Sequence, residues 1–452
     1  MKYLLLLLTC INLLSCKKYL DANPDAAVAV PSSLAQLQSL LDHSSRMNLA
    51  RTPSFSELSA DDFFLLDDTY NAFTKELQSA YTWNRMPYNI INDWSIAYQP
   101  VYTSNYCLDQ LQNIPVTIQT IEQWNNVKGS ALFFRSYYFL GLTWSHAKAF
   151  LNDSADAQLG IVLRLSSDFN IPSKRATVRE TYNRILSDTK EAIAYLPDHA
   201  INGMRPSKAA AYGLLARTYL SMRQYDSAFR YAGLSLQLKN SLIDYNADTD
   251  LNGNVNAAIP FKRFNKETVF YTEMNGIGSV NSFTRARIDT MLYASYHNND
   301  LRKKAFFRPS APYYLFKGSY TGNTNNYFTG ITTAEMLLTR AECSARLGNI
   351  AEAMNDLNTL MRKRWENTVP YPIITAVDET DAVNKILAER RKELYMRGMR
   401  WMDIKRLNRE NRNIILTRKI GAQVFTLLPN AGYYALPLPA DIIQITGIEQ
   451  NQ

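Results

Sequence analysis

Residues 216–228 read ARTYLSMRQYDSA, and residues 341–353 read AECSARLGNIAEA. Laid over each other without gaps, small residues coincide at Ala216 with Ala341 and at Ala228 with Ala353. Each stretch carries a polar turn near its middle and continues into a second helical pattern, AFRYAGLSLQL in one and AMNDLNTLMRKR in the other. Small residues at such places let two antiparallel helices approach closely, with Tyr219 and Tyr225 as bulky partners. Two unrelated αα-hairpins would leave the same trace. The spacing between the two stretches is too wide for a tandem period, so hairpins of this kind must be separated by insertions.

Outward from these hairpins the helical reading continues. Leu34, Leu37 and Leu41 fall on one face. Trp94, Tyr98, Val101, Asn105 and Leu108 keep helical spacing over 94–114, and Pro115 punctuates the run. A longer amphipathic stretch covers about 121–150, and another covers 178–196 and stops at Pro197. Between the hairpins lies a long insertion, about 240–330, rich in Asn, Gly, Thr and Tyr. It holds short strand-like pieces such as ETVFYTEM and many aromatics, among them Tyr271, Tyr296, Tyr314 and Tyr320. Long aperiodic segments in a compact protein often carry function. A second aromatic group sits on the loop SAYTWNRMPYN, residues 79–89.

The chain starts MKYLLLLLTCINLLSC. A lysine, a short apolar run and a small residue before Cys16 describe an export signal over 1–15, too short to span a membrane. Cysteine directly after Leu-Leu-Ser resembles a bacterial lipobox. Acylation at Cys16 would then tether a globular body to a membrane through residues 16–32, each buried methylene contributing about 0.8 kcal/mol. Cys107 and Cys343 sit in helical patterns and read as buried thiols. The formal charge of +8 is spread along the chain without a basic tail. That distribution speaks against nucleic acid as a partner.

Catalytic signatures are absent. There is no GxSxG, HExxH, P-loop or CxxC pair, and His43, His146, His199 and His297 lack ligand spacing. Adjacent carboxylates such as Asp61–Asp62 diverge and make no dyad. DTDLNG, with Asp248, Asp250 and Asn252, places oxygens at positions 1, 3 and 5 of a calcium loop, but position 12 is Ile259. A polar turn explains it better than bound calcium. The chain therefore reads as a non-enzyme without a cofactor.

Residues 387–407, LAERRKELYMRGMRWMDIKRL, hold seven basic and three acidic side chains. Read as one helix, Glu393–Arg397, Arg400–Asp403 and Asp403–Arg406 share faces, while Leu387, Leu394 and Trp401 form a buried one. Gly398 would allow a bend or a close contact. The expectation is a segment packed near the core whose arginines reach carboxylates and helix C-terminal carbonyls elsewhere, a task that suits the guanidinium fork.

Several stretches together resemble the SusD/RagB family of outer-membrane nutrient-binding lipoproteins. The leader ending LLSC is followed by KKYLDANPD. NDWSIAYQPVYTSNYCLDQL carries Trp94, Tyr98 and Asn105, and VKGSALFFRSYYFLGL carries Ala131, Arg135 and Tyr138. RPSKAAAYGLLARTYL and AEMLLTRAECSARLG supply two repeat helices. AERRKELYMRGMRWMDIKR, with Arg390, Arg391, Glu393, Arg400, Trp401, Asp403 and Arg406, is the most recognisable segment, and YYALPLPADII closes the series.

The resemblance implies a mostly α fold of tetratricopeptide-like hairpins in a right-handed superhelical scaffold, with long loops and a few short strands. It divides the chain into an N-terminal helical region (33–239), a loop-rich insertion (240–330) and a C-terminal region (331–452) of the same body. It implies a surface-exposed, non-catalytic lipoprotein of the outer membrane that binds a glycan, or less readily a peptide. The cargo passes to a TonB-dependent barrel. Two departures are visible. Lys17 and Lys18 precede the first acid, Asp21, where acids usually follow the lipidated cysteine, and the chain is compact for the family. The alternative class is a periplasmic helical-repeat scaffold that docks proteins. For the ligand, aromatic faces beside hydrogen-bonding groups are expected: Trp83, with Asn84, Arg85 and Tyr88 beside it, then Tyr271, Tyr296, Tyr314 and Tyr320 of the insertion.

Overall fold

The computed structural model describes residues 31–85, 87–88, 92–276 and 282–452. The signal, Cys16 and nearly all of the expected tether lie outside the described residues. Helix α1 (Leu34–Leu41) opens with a capping box between Ser33 and Gln36 and buries Leu34, Leu37 and Leu41. α2 (Asp93–Leu111) is capped by the Asn92 side chain, which accepts from the Ser95 N–H at 2.8 Å. α3 (Ile121–His146) is buried on nearly every side from Val127 onward, as a central helix must be. α4 (Val178–Tyr195) begins at a Thr177–Glu180 capping box. α2 and α4 both pack along α3.

The repeated hairpin is real. α5 (Lys208–Ser221) and α6 (Tyr225–Leu238) form one copy, α7 (Thr333–Arg346) and α8 (Ile350–Arg362) the other. Their turns agree bond for bond. The Gln224 N–H donates to the Tyr219 carbonyl and the Asn349 N–H to the Ser344 carbonyl, each at 2.9 Å. Both turns pass through a left-handed residue: Gly348 in one (φ +83°), and in the other Arg223 (φ +61°), which carries the strain of that region. Ala216, Ala341, Ala228 and Ala353 are fully buried. α6 packs directly on α7, so the two copies are neighbours in one continuous stack despite the chain between them.

That intervening chain leaves and returns through an antiparallel pair, β4 (Thr268–Phe270) with β8 (Ile331–Thr332). Ahead of it in the chain come β1 (Phe63–Phe64) and the hairpin of β2 (Leu159–Val162) with β3 (Arg175–Thr177). Inside the insertion, β5 (Arg287–Ile288), β6 (Phe307–Ser310) and β7 (Tyr313–Phe316) join β1 in a four-stranded sheet of order β1-β5-β7-β6. The insertion is not loose decoration. Phe261, Tyr271, Tyr296, Phe306, Phe316, Tyr320 and Phe328 build a second hydrophobic core, shared with Phe55, Tyr81 and Trp83 before it and Tyr395 and Trp401 after it.

The 387–407 segment joins the two cores, but as two helices. α9 (Glu379–Glu393) ends and α10 (Arg400–Asn408) starts across a turn in which Met396 (φ +57°) and Gly398 (φ +73°) are left-handed. The single-helix expectation is thereby corrected. Leu394 faces the first core and Trp401 the second, with its ring stacked on Tyr434 at 4.7 Å. Leu387 is only partly buried. Arg397 does not pair with Glu393. Instead Glu393 accepts from Arg364 (2.8 Å) and Arg302 (3.2 Å), and Arg400 reaches Asp61 (2.6 Å) rather than Asp403. The Asp403–Arg406 pair forms at 2.8 Å.

Long reach by the basic side chains holds throughout this joint. Arg390 binds Asp403 (2.9 Å), Arg391 binds Asp62 (2.7 Å), and Arg406 grips both oxygens of Glu342 (2.6 and 2.7 Å). Lys405 donates to the carbonyls of Trp144 and Ala147 at the C-terminus of α3 (2.7 and 2.5 Å), the negative end of the helix dipole, while burial lowers its amine to about 7. At the turn itself the Gly398 N–H donates to Glu57 at 2.9 Å. Glu57 is 1 % exposed, and burial, with Asp62 adding to it, pushes its carboxyl up to about 8.

Candidate functional site

One face of α2 carries Trp94, Tyr98 and Tyr102, four residues apart, which on a helix makes a vertical row. Trp94 is buried, Tyr98 half-buried and Tyr102 52 % exposed, so the row climbs from core to solvent. At its base, Trp94 packs on Tyr98 (5.0 Å between centroids) and edge-on to His146 (5.3 Å). His146 is fully buried, and desolvation lowers its imidazole to about 3, so it supports the row as a neutral ring. The row forms one wall of a cleft of about 210 Å³. The opposite wall is Ile442, Thr446 and Ile448, on and after α11 (Ala440–Thr446), and Arg164, Ser166 and Ser173 stand at the rim.

The rim is fixed from beneath. Asn105 donates to the carbonyls of Arg164 (2.7 Å) and Ser166 (3.3 Å), and its own oxygen accepts from Arg135, which forks onto Asp188 (2.7 and 2.9 Å). Tyr98 Oη donates to the Val162 carbonyl (2.6 Å), and burial raises its phenol. Asp109 accepts from the Ser167 N–H and hydroxyl (2.8 and 2.7 Å). The far wall is tied down by Arg175, which donates to Gly160, Glu449 and Asn451. The result is a preorganised apolar slot with a ladder of aromatic faces and a few polar groups at its edge. It can stack flat rings and hydrogen-bond their rims.

Most of the aromatic residues expected to line a ligand site are elsewhere, and inside. Trp83 is 8 % exposed, holds a left-handed backbone (φ +60°), donates its indole N–H to the Ser59 carbonyl (2.9 Å) and lies beside the Arg418 guanidinium. Tyr271 donates to Glu273 (2.5 Å), Tyr296 to the Lys392 carbonyl (2.8 Å) and Tyr320 to Glu267 (2.9 Å), all within the second core. These four rings are reassigned to packing. Tyr314 is half-buried and stacked on Tyr293 at 3.8 Å. Asn84 and Arg85 are exposed, but Arg85 is engaged with the carbonyls of Asn451 and Gln452 (2.8 and 2.6 Å). Asn84 and Tyr88 line a narrow crevice with Tyr433, separate from the α2 cleft, and Tyr88 donates to the Pro437 carbonyl (3.2 Å).

The calcium-loop side chains serve their own turn. Asp248 binds Lys266 (2.7 Å) and accepts from the Asp250 N–H, Asp250 accepts from the Lys266 N–H, and Asn252 donates to the Ile259 carbonyl. Among the described residues no group of three or more His, Cys, Asp or Glu is gathered to hold a metal. None of their helices is long and apolar enough to cross a membrane.

Trp94, Tyr98 and Asn105 belong to the helix that carries the family resemblance, whereas Tyr102 and Arg164, which also line the cleft, stand in no motif of the sequence. The four-residue aromatic spacing was the available signal.

Comparison with known proteins follows the same lines. Residues 18–220 match a family described as starch-binding and associating with the outer membrane, and residues 218–429 match the SusD family. Solved structures similar over almost the whole chain include a SusD superfamily protein from Bacteroides thetaiotaomicron (TM-score 0.72, 20 % identity, 93 % of this chain and 100 % of that one). Another, from Bacteroides fragilis, has TM-score 0.71 and 20 % identity, covering 93 % and 99 %. A laminarin-binding SusD-like protein has TM-score 0.64 and 18 % identity, covering 92 % and 98 %. No curated protein matches the sequence.

Proposed function

The chain belongs to the SusD family, whose members associate with the outer membrane, and from this premise we propose that it captures an oligosaccharide in the α2 cleft without chemically altering it. The carrying observation is the row Trp94–Tyr98–Tyr102 climbing out of the core beside Arg164, Ser166 and Ser173. Sugar rings present an apolar C–H face to stack on such a row and hydroxyl edges to meet the rim. A peptide would need partners for its backbone as well as its side chains, and the slot offers few. Delivery to a TonB-dependent outer-membrane barrel, with Cys16 acylated and the body outside the cell, completes the reading. Its support is the family's fold and the lipobox-like leader.

Titration calorimetry of the purified protein against malto- and laminari-oligosaccharides tests the capture step. Tyr102→Ala should weaken the tightest ligand roughly tenfold, about 1.4 kcal/mol. Unchanged affinity in that variant places the ligand elsewhere. Co-purification of an outer-membrane barrel with the tagged lipoprotein tests delivery, and recovery of only soluble partners overturns it.

A further inference from the structure

The seam between the two cores contains a cation whose charge no neighbour meets at bonding distance. Arg397 is 6 % exposed, forms no ion pair among the described residues, and its Nη1 is buried without a hydrogen-bond partner among them. Its guanidinium lies over the rings of Tyr320 (3.9 Å) and Phe328 (4.8 Å). Aromatic faces attract a cation but do not replace hydrogen bonds to its N–H groups.

The carboxylates around it are engaged elsewhere, except that Oε1 of Glu57 has no partner among the described residues. Glu393 serves Arg364 and Arg302, Glu335 serves Arg217 (2.6 Å), Glu273 serves Tyr271 and Asn326, and Glu57 accepts from Gly398. Arg397 and Arg217 line one small cleft together with Thr52, Ser56, Thr329 and Gly398. Its lining therefore carries two guanidiniums and no carboxylate, Arg217 being held by Glu335 from outside the cleft. Glu393 offsets part of the Arg397 charge from a distance, but the buried Nη1 is left without an acceptor, and a buried charged donor is stable only when it is hydrogen-bonded as well as paired.

We propose that this cleft binds a small monovalent anion of halide size, held by the Arg397 guanidinium with the Ser56 hydroxyl on its lining as a further donor. The volume, about 40 Å³, suits one ion and a water, since roughly 10–15 Å³ accepts one water-sized occupant. A sugar or a nucleotide phosphate is far too large. The site lies at the α9–α10 turn, so the ion closes the joint between the cores and is independent of the α2 cleft.

The test is thermal unfolding of the whole protein in rising sodium bromide, with sodium methanesulfonate making up constant ionic strength. The expected result is a saturable rise of on the order of 1–2 °C, absent in Arg397→Met, which keeps an apolar stem over Tyr320. A crystal soaked in sodium bromide should show an anomalous peak beside Arg397. Bromide acting no better than methanesulfonate, an equal response in Arg397→Met, or a cleft with no bromine signal overturns the proposal. Should the variant not fold, the soaked crystal decides alone.

Discussion

Replace Glu57 by glutamine. The carboxyl is buried at the seam, accepts one N–H from Gly398, and is raised from 4.5 to about 8, chiefly by desolvation and then by Asp62. A raised value means that the folded protein holds a proton which the unfolded chain has already released. The associated stability is complete below pH 4.5 and is lost as pH climbs through 8. One pKa unit corresponds to about 1.36 kcal/mol, so the loss reaches about 5 kcal/mol at most. Glutamine keeps an oxygen for the Gly398 N–H and has no proton to lose. Urea unfolding of both proteins from pH 5 to pH 9 should therefore give similar stabilities at the acid end. By pH 8.5 the variant should lead by several kcal/mol. Asp62 is raised too and acts on Glu57, so the difference between the curves reports Glu57 together with its effect on Asp62. If the two curves fall in parallel, Glu57 is ionised inside the fold and the reasoning fails.

Arg406→Met leaves the buried Glu342, now held near 2 by Arg406, without its fork, and should cost about 3–5 kcal/mol in denaturant unfolding. His146 should show no protonation by NMR between pH 8 and pH 4, and the stability tied to its neutral ring should fade as pH drops below 6.5 toward 3. Gly330→Ala would put a methyl 1.9 Å from the Phe270 carbonyl at the mouth of the insertion. A loss of at least about 1–3 kcal/mol is expected in thermal melts. A melting point unchanged in that variant would mean that β4 and β8 part easily.

How much the sequence disclosed depends on how local the cause was. Capping residues and apolar spacing lie within one helix, so α1, α2 and α4 were readable almost to their ends. The twin hairpins were readable because Ala216 and Ala341 report a contact made a few residues away. The break at 394–399 was not, since what holds Gly398 in place is Glu57, more than three hundred positions earlier. The insertion aromatics misled for a related reason. Tyr296 and Tyr320 look ligand-facing until Lys392 and Glu267 supply their hydroxyl partners from other parts of the chain. The α2 cleft draws its walls from residues near 94–105, 162–173 and 442–448, and no window of sequence contains all three.

The order in which this chain leaves the ribosome matters for one of its contacts. α6 is finished at Leu238, yet α7, which covers one of its sides, begins only at Thr333. At synthesis rates of about 5–20 residues per second, that side waits roughly 5–20 s for its cover. Until then the side of α6 that α7 will cover stays open, and a half-built stack is at its most prone to association during that interval.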